Sequence, residues 1–233
     1  MADRTYRWLL LSLAVLGFAA DQASKYGMFR WLYHDGQPAD RGAFQAWTTV
    51  PDWRNPDTKV GLHGGRYNLI PGWFGLTAEF DASTPPCDCR LAGLQTWSAP
   101  VLPRVNHGAL FGMGQSRRGT ANGFFAVVSV VAAAAILTWG LRRSTAREKW
   151  LMAALGLILA GTVGNLYDRL VFNGVRDFLY FYYVEWPVFN FADCCLVVGA
   201  GLLLMQAVFA PRQPEQTAPS ASEPATPEGP KQQ

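Results

Sequence analysis

The sequence predicts a membrane protein with an all-α core of four spanning helices and a small β-rich segment on one side of the bilayer. Three observations carry this reading. Half of the 233 residues are hydrophobic and only 16% are charged, against about 25% in an ordinary soluble domain. Apolar runs long enough to cross a bilayer recur along the chain. Between the first two lies a long polar stretch, rich in Pro and Gly, with short strand-like segments.

The first span is expected over about 8–32. Trp8 to Ala20 is a thirteen-residue apolar run, interrupted by Asp21, Gln22, Ser24 and Lys25, and the apolar pattern resumes at Tyr26, Met28, Phe29, Trp31 and Leu32. A cleaved signal peptide is the alternative, with Arg4 and Arg7 before a short apolar core and small residues at Ala19 and Ala20. The continuation to Trp31 and Tyr33, aromatic residues suited to a membrane interface, favours a retained helix. Residues 33–120 follow. Within them Tyr67 to Phe80 reads as a turn with flanking strands, and Leu102 to Phe111 as a further strand. The Pro- and Gly-rich stretches of about 35–66 and 81–100 read as connecting segments.

The second span, about 121–141, holds no charge, and the third, about 150–167, is closed by Asp168-Arg169. The fourth, about 189–209, holds one charge, Asp193. The loop 142–149 carries four basic residues, which places it in the cytoplasm, in agreement with Arg4 and Arg7. Both termini are then cytoplasmic, and 33–120 and 168–188 are extracytoplasmic. Residues 1–210 form a single domain, and the Pro-, Ala-, Glu- and Gln-rich stretch 211–233 is a disordered cytoplasmic tail.

Several functions are excluded by what is missing. A net charge of +3 gives no case for nucleic acid. The three histidines, His34, His63 and His107, all fall in or at the edge of the outer segment, and no His-Glu-x-x-His zinc motif, Gly-x-Ser-x-Gly elbow or phosphate-binding Gly-Lys-Ser/Thr loop is present. Cys194 and Cys195 read as small buried hydrophobes. Cys87 and Cys89 are too close in sequence for an easy disulfide, so free thiols or other partners are expected.

Ionisable groups in membrane segments mark functional positions. Four acids qualify: Asp21, Asp168, Asp177 and Asp193. Asp21 and Lys25 share a helix face and can pair. Asp168 abuts Arg169, with Asn165 one turn earlier; the pair reads as an interfacial anchor, and Asn165 with Arg169 as the alternative of facing a substrate. Asp193 has Asn190 one turn before it on the same face. A carboxylate buried alone is costly unless paired or protonated. Should Asp177 fold back over the start of the fourth helix, it would meet Asp193, and two close carboxylates share one proton. Spacing alone leaves this as one of six possible pairings among four acids.

At this point the sequence resembles a known family, the lipoprotein signal peptidases or signal peptidase II. Asp21-Gln22-Ala-Ser-Lys25 is similar to the family's Asp-Gln-x-x-Lys, and Asn106-His-Gly-Ala-Leu-Phe-Gly112 to its Asn-x-Gly-Ala-Ala-Phe-Gly. Gly164-Asn165-Leu-Tyr-Asp168-Arg169 matches Gly-Asn-x-x-Asp-Arg, Val175-Arg-Asp177-Phe178 resembles Val-x-Asp-Phe, and Phe189-Asn190-Phe-Ala192-Asp193 matches Phe-Asn-x-Ala-Asp. The resemblance implies a membrane aspartyl endopeptidase with a compact extracytoplasmic strand cradle, with Asp177 and Asp193 as the catalytic pair. The implied substrate is a diacylglyceryl-modified prolipoprotein, cut just before the lipidated cysteine at the outer leaflet of the bacterial inner membrane. It implies a site lined by Asn106, Gly108, Asn165, Arg169 and Asn190, with Asp21 and Asp168 as structural partners of Lys25 and Arg169. No metal or cofactor is implied, membrane lipid surrounds the protein, and a monomer is expected. Two features depart from the pattern. Leu110 replaces the second Ala of the Gly-Ala-Ala-Phe box, and 35–66 and 81–100 look like insertions in the cradle. A proton-coupled transporter and a non-catalytic scaffold are the rival readings. The transporter predicts paired repeats and broken helices, and neither is seen.

Overall fold

A computed structural model describes residues 5–34, 37–38, 49–52, 55–61, 63–81, 83–108 and 118–209. The sequence-predicted tail and Leu110 lie outside these residues.

Long apolar runs become long helices because no water competes for backbone groups in a bilayer. They are α1 (Arg7–His34), α3 (Arg118–Gly140), α4 (Lys149–Phe172) and α5 (Phe191–Phe209), with a short helix, α2 (Ala92–Gln95), in the outer segment. Three of them, α3, α4 and α5, are long and apolar enough to cross a membrane. The fourth, α1, runs unbroken for 28 residues through Ala19 and Ala20, and its second half carries Asp21, Lys25 and Arg30. The third predicted span ends too early: α4 continues past Asp168 and Arg169 to Phe172 because burial of Asp168 lets the helix keep its charges inside the fold. It ends at Asn173 in the left-handed conformation (φ 58°), a common way to stop a helix.

The central helix is α4, which packs against α1, α3 and α5. One end of the bundle is closed by a cluster of Leu10, Ala146, Met152, Leu155 and Leu159, and there the Tyr6 amide donates to Ala146 O at 2.6 Å. The start of α1 therefore lies beside the basic turn between α3 and α4. Little of α3 is buried, and Phe124, Val127, Val130 and Val131 face outward, as lipid-facing side chains do.

The sheet sits at the opposite end. Strands β4 (His63–Ile70) and β5 (Phe74–Asp81) form an antiparallel hairpin around Pro71-Gly72-Trp73, where the turn signal predicts one. Gly72 takes φ 78°, which suits glycine. The β5 strand also pairs with β6 (Leu102–Pro103) and β7 (Leu179–Phe181), and β1 (Gln37–Pro38) extends the sheet beside β4. A separate ribbon, β2 (Thr49–Asp52) with β3 (Asn55–Gly61), forms in the first Pro- and Gly-rich stretch. Leu76, Ala78 and Phe80 alternate along β5 and pack on Phe29 and Leu32 of α1. The sheet is thus bolted to the outer half of α1.

The second Pro- and Gly-rich stretch docks on the same end. Gln95 donates to Val171 O of α4 (2.6 Å) and accepts from the Cys87 amide (2.9 Å). Ser98 Oγ donates to Tyr26 O of α1 (3.0 Å), and Ala99 and Val101 enter the core under the sheet. The expectation of unlinked thiols is corrected here. Cys87 and Cys89 form a disulfide, because the turn at Asp88 brings their Cα atoms to 5.3 Å, within bridging range.

Candidate active site

The four acids fall into two groups, both at the sheet end of the bundle. The first is a buried ion cluster. Lys25 Nζ donates to Asp21 Oδ2 at 2.9 Å and lies 3.3 Å from Asp168 Oδ2, with all three side chains fully buried. Arg176 completes it. Its Nη2 donates to Asp168 Oδ1 at 2.8 Å and to Gln22 Oε1 at 2.9 Å, and its backbone amide donates to Asp168 Oδ2 at 2.8 Å. The guanidinium packs against both Tyr26 and Phe172, 4.2 and 3.9 Å from their ring centres. Asp21 and Asp168 balance Lys25 and Arg176, so the buried cluster is neutral. Net neutrality makes such burial tolerable, and of the Arg176 guanidinium nitrogens only Nη1 lacks a hydrogen-bond partner among the described residues.

The expected pairing of Asp168 with Arg169 is corrected by this geometry. Adjacent helical residues point about 100° apart and do not share a face. Asp168 turns to Arg176 and Lys25. Arg169 turns the other way, toward Phe125, 5.5 Å from its ring centre, and lines the cleft described below. Arg176 was the residue missed by sequence reasoning. Its signal was a cation beside Asp177 in the short segment between two apolar runs.

The second group is Asp177 with Asp193, and backbone pairing brings them together. The Asn106–Val175 bridge, with N–H···O distances of 2.7 and 2.8 Å, sets Asn106 beside Asp177. The excursion from Phe178 to Phe189 is closed by the Leu179–Phe189 bridge (2.8 and 2.9 Å), which folds Asp177 back over the start of α5. Asn190 then spans the two acids. Its side-chain amide donates to Asp177 Oδ1 at 2.7 Å, and its backbone N–H donates to Asp193 Oδ2 at 3.1 Å. Its Oδ1 accepts from the Asp193 amide at 3.1 Å. Asn190 and Asp193 thus form a reciprocal capping box at the head of α5, where the helix dipole favours a negative charge.

Two more asparagines complete the shell. Asn106 Nδ2 donates to Asp177 Oδ2 at 3.1 Å. Asn165 Nδ2 donates to Asp193 Oδ1 at 2.9 Å, while its Oδ1 accepts from Lys25 Nζ and Asn190 Nδ2, each at 3.2 Å. Lys25 therefore joins the two groups, fixing which way the Asn165 amide points. Asp21 does the same for α5, since its Oδ1 accepts from the Ala192 amide at 2.9 Å. Gly108 has φ 94° and donates its N–H to Asn106 Oδ1 at 3.0 Å. A side chain there would both strain the backbone and strike the Phe125 ring.

Asn106, Gly108, Asn165, Arg169, Asp177 and Asp193 line one cleft of about 70 Å³. Desolvation, then the Asp193 charge, pushes the Asp177 carboxyl up from 3.8 to about 7, against the pull of the Asn190 and Asn106 amides. Two carboxylates joined by neutral amides, with the Asp177 carboxyl biased toward its protonated form, are equipped for acid–base chemistry on a bound carbonyl and water. Among the described residues, no group of three or more His, Cys, Asp and Glu side chains is arranged to hold a metal ion.

Residues 100–209 match the family model described as signal peptidase (SPase) II. The lipoprotein signal peptidase of Rhodopirellula baltica is 34% identical over 207 residues, covering 81% of this chain and 75% of that protein. Those of Symbiobacterium thermophilum and Pseudoalteromonas translucida are 43% and 40% identical over 110 and 104 residues, covering 69% and 62% of their own lengths and 46% and 44% of this chain. A bacterial membrane enzyme solved by the in meso method superposes with a TM-score of 0.57 at 17% identity, covering 94% of this chain and 99% of that one, which shows a shared fold. On the long alignment to the Rhodopirellula protein and the family model over its second half, the chain belongs to the signal peptidase II family.

Proposed function

We propose that this protein is a lipoprotein signal peptidase, an intramembrane aspartyl endopeptidase that removes the signal peptide from diacylglyceryl-modified prolipoproteins by cutting before the lipidated cysteine. The observation that carries the reading is the single Asn190 side chain and backbone bridging Asp177 to Asp193 at 2.7 and 3.1 Å. In the proposed reaction Asp193 is the ionised partner, held by the head of α5, and Asp177 carries the shared proton. Asp193 takes a proton from water as the oxygen attacks the scissile carbonyl carbon. Asp177 gives its proton to the carbonyl oxygen. As the tetrahedral intermediate collapses and the C–N bond breaks, Asp193 gives its proton to the cysteine nitrogen and Asp177 takes one from a hydroxyl of the intermediate as the C=O re-forms, so the pair returns to one shared proton. Asn106, Gly108, Asn165, Arg169 and Asn190 hold substrate and the two acids in register.

In this proposal α1 is the fourth span, and the neutrality of its buried cluster supports that placement. The basic turn after α3 faces the cytoplasm with both termini, so the cleft lies at the outer leaflet of the inner membrane, where the lipidated cysteine sits. The enzyme acts as a monomer without metal or cofactor, and 35–66 and 81–100 are insertions in the outer segment.

The test is reconstitution in lipid with a diacylated prolipoprotein. Wild type cleaves, Asp177→Asn and Asp193→Asn each lose cleavage while remaining folded, and a chelator leaves the rate unchanged. Undiminished cleavage by either variant would sink the assignment of the pair, and strong inhibition by the chelator would overturn metal-independence. Absence of cleavage by wild type favours a transporter or scaffold.

A further inference from the structure

Next to the acids lies a second, much larger space. A cavity of about 610 Å³ opens beside the cleft and shares Asn106 and Asp177 with it. This is within the ~300–1,000 Å³ typical of ligand pockets. Glu79 and Arg104 stand along one side, an ion pair at 2.8 Å, and Thr84 and Cys87 along another. The second wall belongs to the stretch 81–100, which the catalytic reading leaves without a role.

That wall is built firmly. Asp81 accepts from the Ser83 amide at 2.8 Å. The Cys87–Cys89 bridge closes the next turn. Gln95 and Ser98 tie the stretch to α4 and α1 through buried or half-buried hydrogen bonds. A pocket whose walls are already in place binds with little ordering cost.

The lining decides the occupant. It comes from the sheet, the stretch 81–100 and the segment after α4, with only the ends of α3 and α4 reaching it. Glu79 and Arg104, a solvent-exposed ion pair, and Asp81 would lose their water under acyl chains or an apolar signal segment, and desolvating charge is costly. A hydrophilic peptide leaving the membrane end of the bundle would satisfy them.

We propose that this cavity receives the peptide on the carboxy-terminal side of the cleaved bond, the first polar residues of the mature lipoprotein, and that the stretch 81–100 sets which residues are accepted there. The inference rests on the proposed peptidase activity. It makes 81–100 a specificity wall.

Two diacylated substrates with the same signal sequence test it, one carrying a polar extension beyond the cysteine and one ending there as an amide. Thr84→Trp fills the cavity. It raises KM for the extended substrate about tenfold with kcat unchanged, and leaves the short substrate alone, as loss of uniform binding does. Arg104→Glu reverses a charge in the lining. It moves preference from an aspartate-bearing extension toward a lysine-bearing one by about tenfold. Equal effects of Thr84→Trp on both substrates, or an effect on the short one alone, overturn the proposal, because the cavity then takes the signal side or the lipid. An unchanged charge preference in Arg104→Glu overturns it too, and does so even where Thr84→Trp fails to fold. Wild type cutting neither substrate overturns the peptidase reading itself, and this inference with it.

Discussion

Arg176 offers the sharpest test of how the fold tolerates its charges. Replacing it with Met keeps volume and removes the cation. Asp168 loses the bonds from Nη2 at 2.8 Å and Nε at 3.3 Å and keeps Lys25 at 3.3 Å, the Arg176 backbone amide and a long bond from Gln22 Nε2 at 3.5 Å. Two buried carboxylates then face a single ammonium. Breaking a buried pair by removing one partner costs about 3–5 kcal/mol, and the lost stacking on Tyr26 and Phe172 contributes about 0.5–2 kcal/mol within that range. For a chain of this size about 2–4 °C of Tm follows each kcal/mol, so Arg176→Met should lower Tm by about 6–20 °C. Thermal unfolding in detergent, with activity measured well below the transition, reads both. The double variant Arg176→Met with Asp168→Asn leaves Asp21 and Lys25 as a neutral pair, and should recover about half of the loss or more. A single variant melting within about 2 °C of wild type would refute the argument. So would a folded Arg176→Met with no activity, which would put Arg176 on the substrate.

Other perturbations read other parts of the structure. Asp177→Asn and Asp193→Asn should each lower kcat by about a thousandfold or more, with the folded fraction checked by gel filtration. Cleavage should fall as pH rises through about 7, because Asp177 loses the shared proton there. Stability shifts in the same direction. The Asp177 value is raised in the fold, so its contribution is fully present below about 3.8 and is lost as pH rises through about 7. Asp177→Asn should flatten that fall, as unfolding measured across pH would reveal. Asp21→Asn removes a charge from the buried cluster and weakens the acceptor for the Ala192 amide. It should destabilise by about 3–5 kcal/mol, and a stable but inactive product contradicts a structural role. Gly164→Ala places a methyl 2.6 Å from Asp21 Oδ2 and 3.2 Å from Ala192 Cβ, and should cost about 1–3 kcal/mol in the same assay.

Much of the fold follows from the apolar runs alone. Their lengths predict α3, α4 and α5 within a few residues, and the turn at Pro71-Gly72 predicts the β4–β5 hairpin. Helical spacing put Asn190 on the same face as Asp193, and the structure joins them in a capping box. These features are local, set by a period or a turn, and a sequence displays such things directly. Motif order supplied the family and the pairing of Asp177 with Asp193 that spacing left among six. What closes that pair in space is the Leu179–Phe189 bridge, a contact no periodicity announces.

The four misplaced acids were visible in the sequence, but their partners belong to the tertiary structure. Asp168 lies next to Arg169 in the chain, yet pairs with Lys25 from another helix and with Arg176 across a helix end, because a helix turns neighbours away from each other. The link from Lys25 through Asn165 to Asp193 joins three elements that only packing brings together. The same is true of 81–100. Its composition reads as loop, and its value as a wall comes from Gln95 reaching Val171 and Ser98 reaching Tyr26. By itself the sequence determined which residues are costly to bury. Folding decided which opposite charge or amide each would meet, since in a low-dielectric interior the nearest partner in space sets the energy, whatever its distance along the chain.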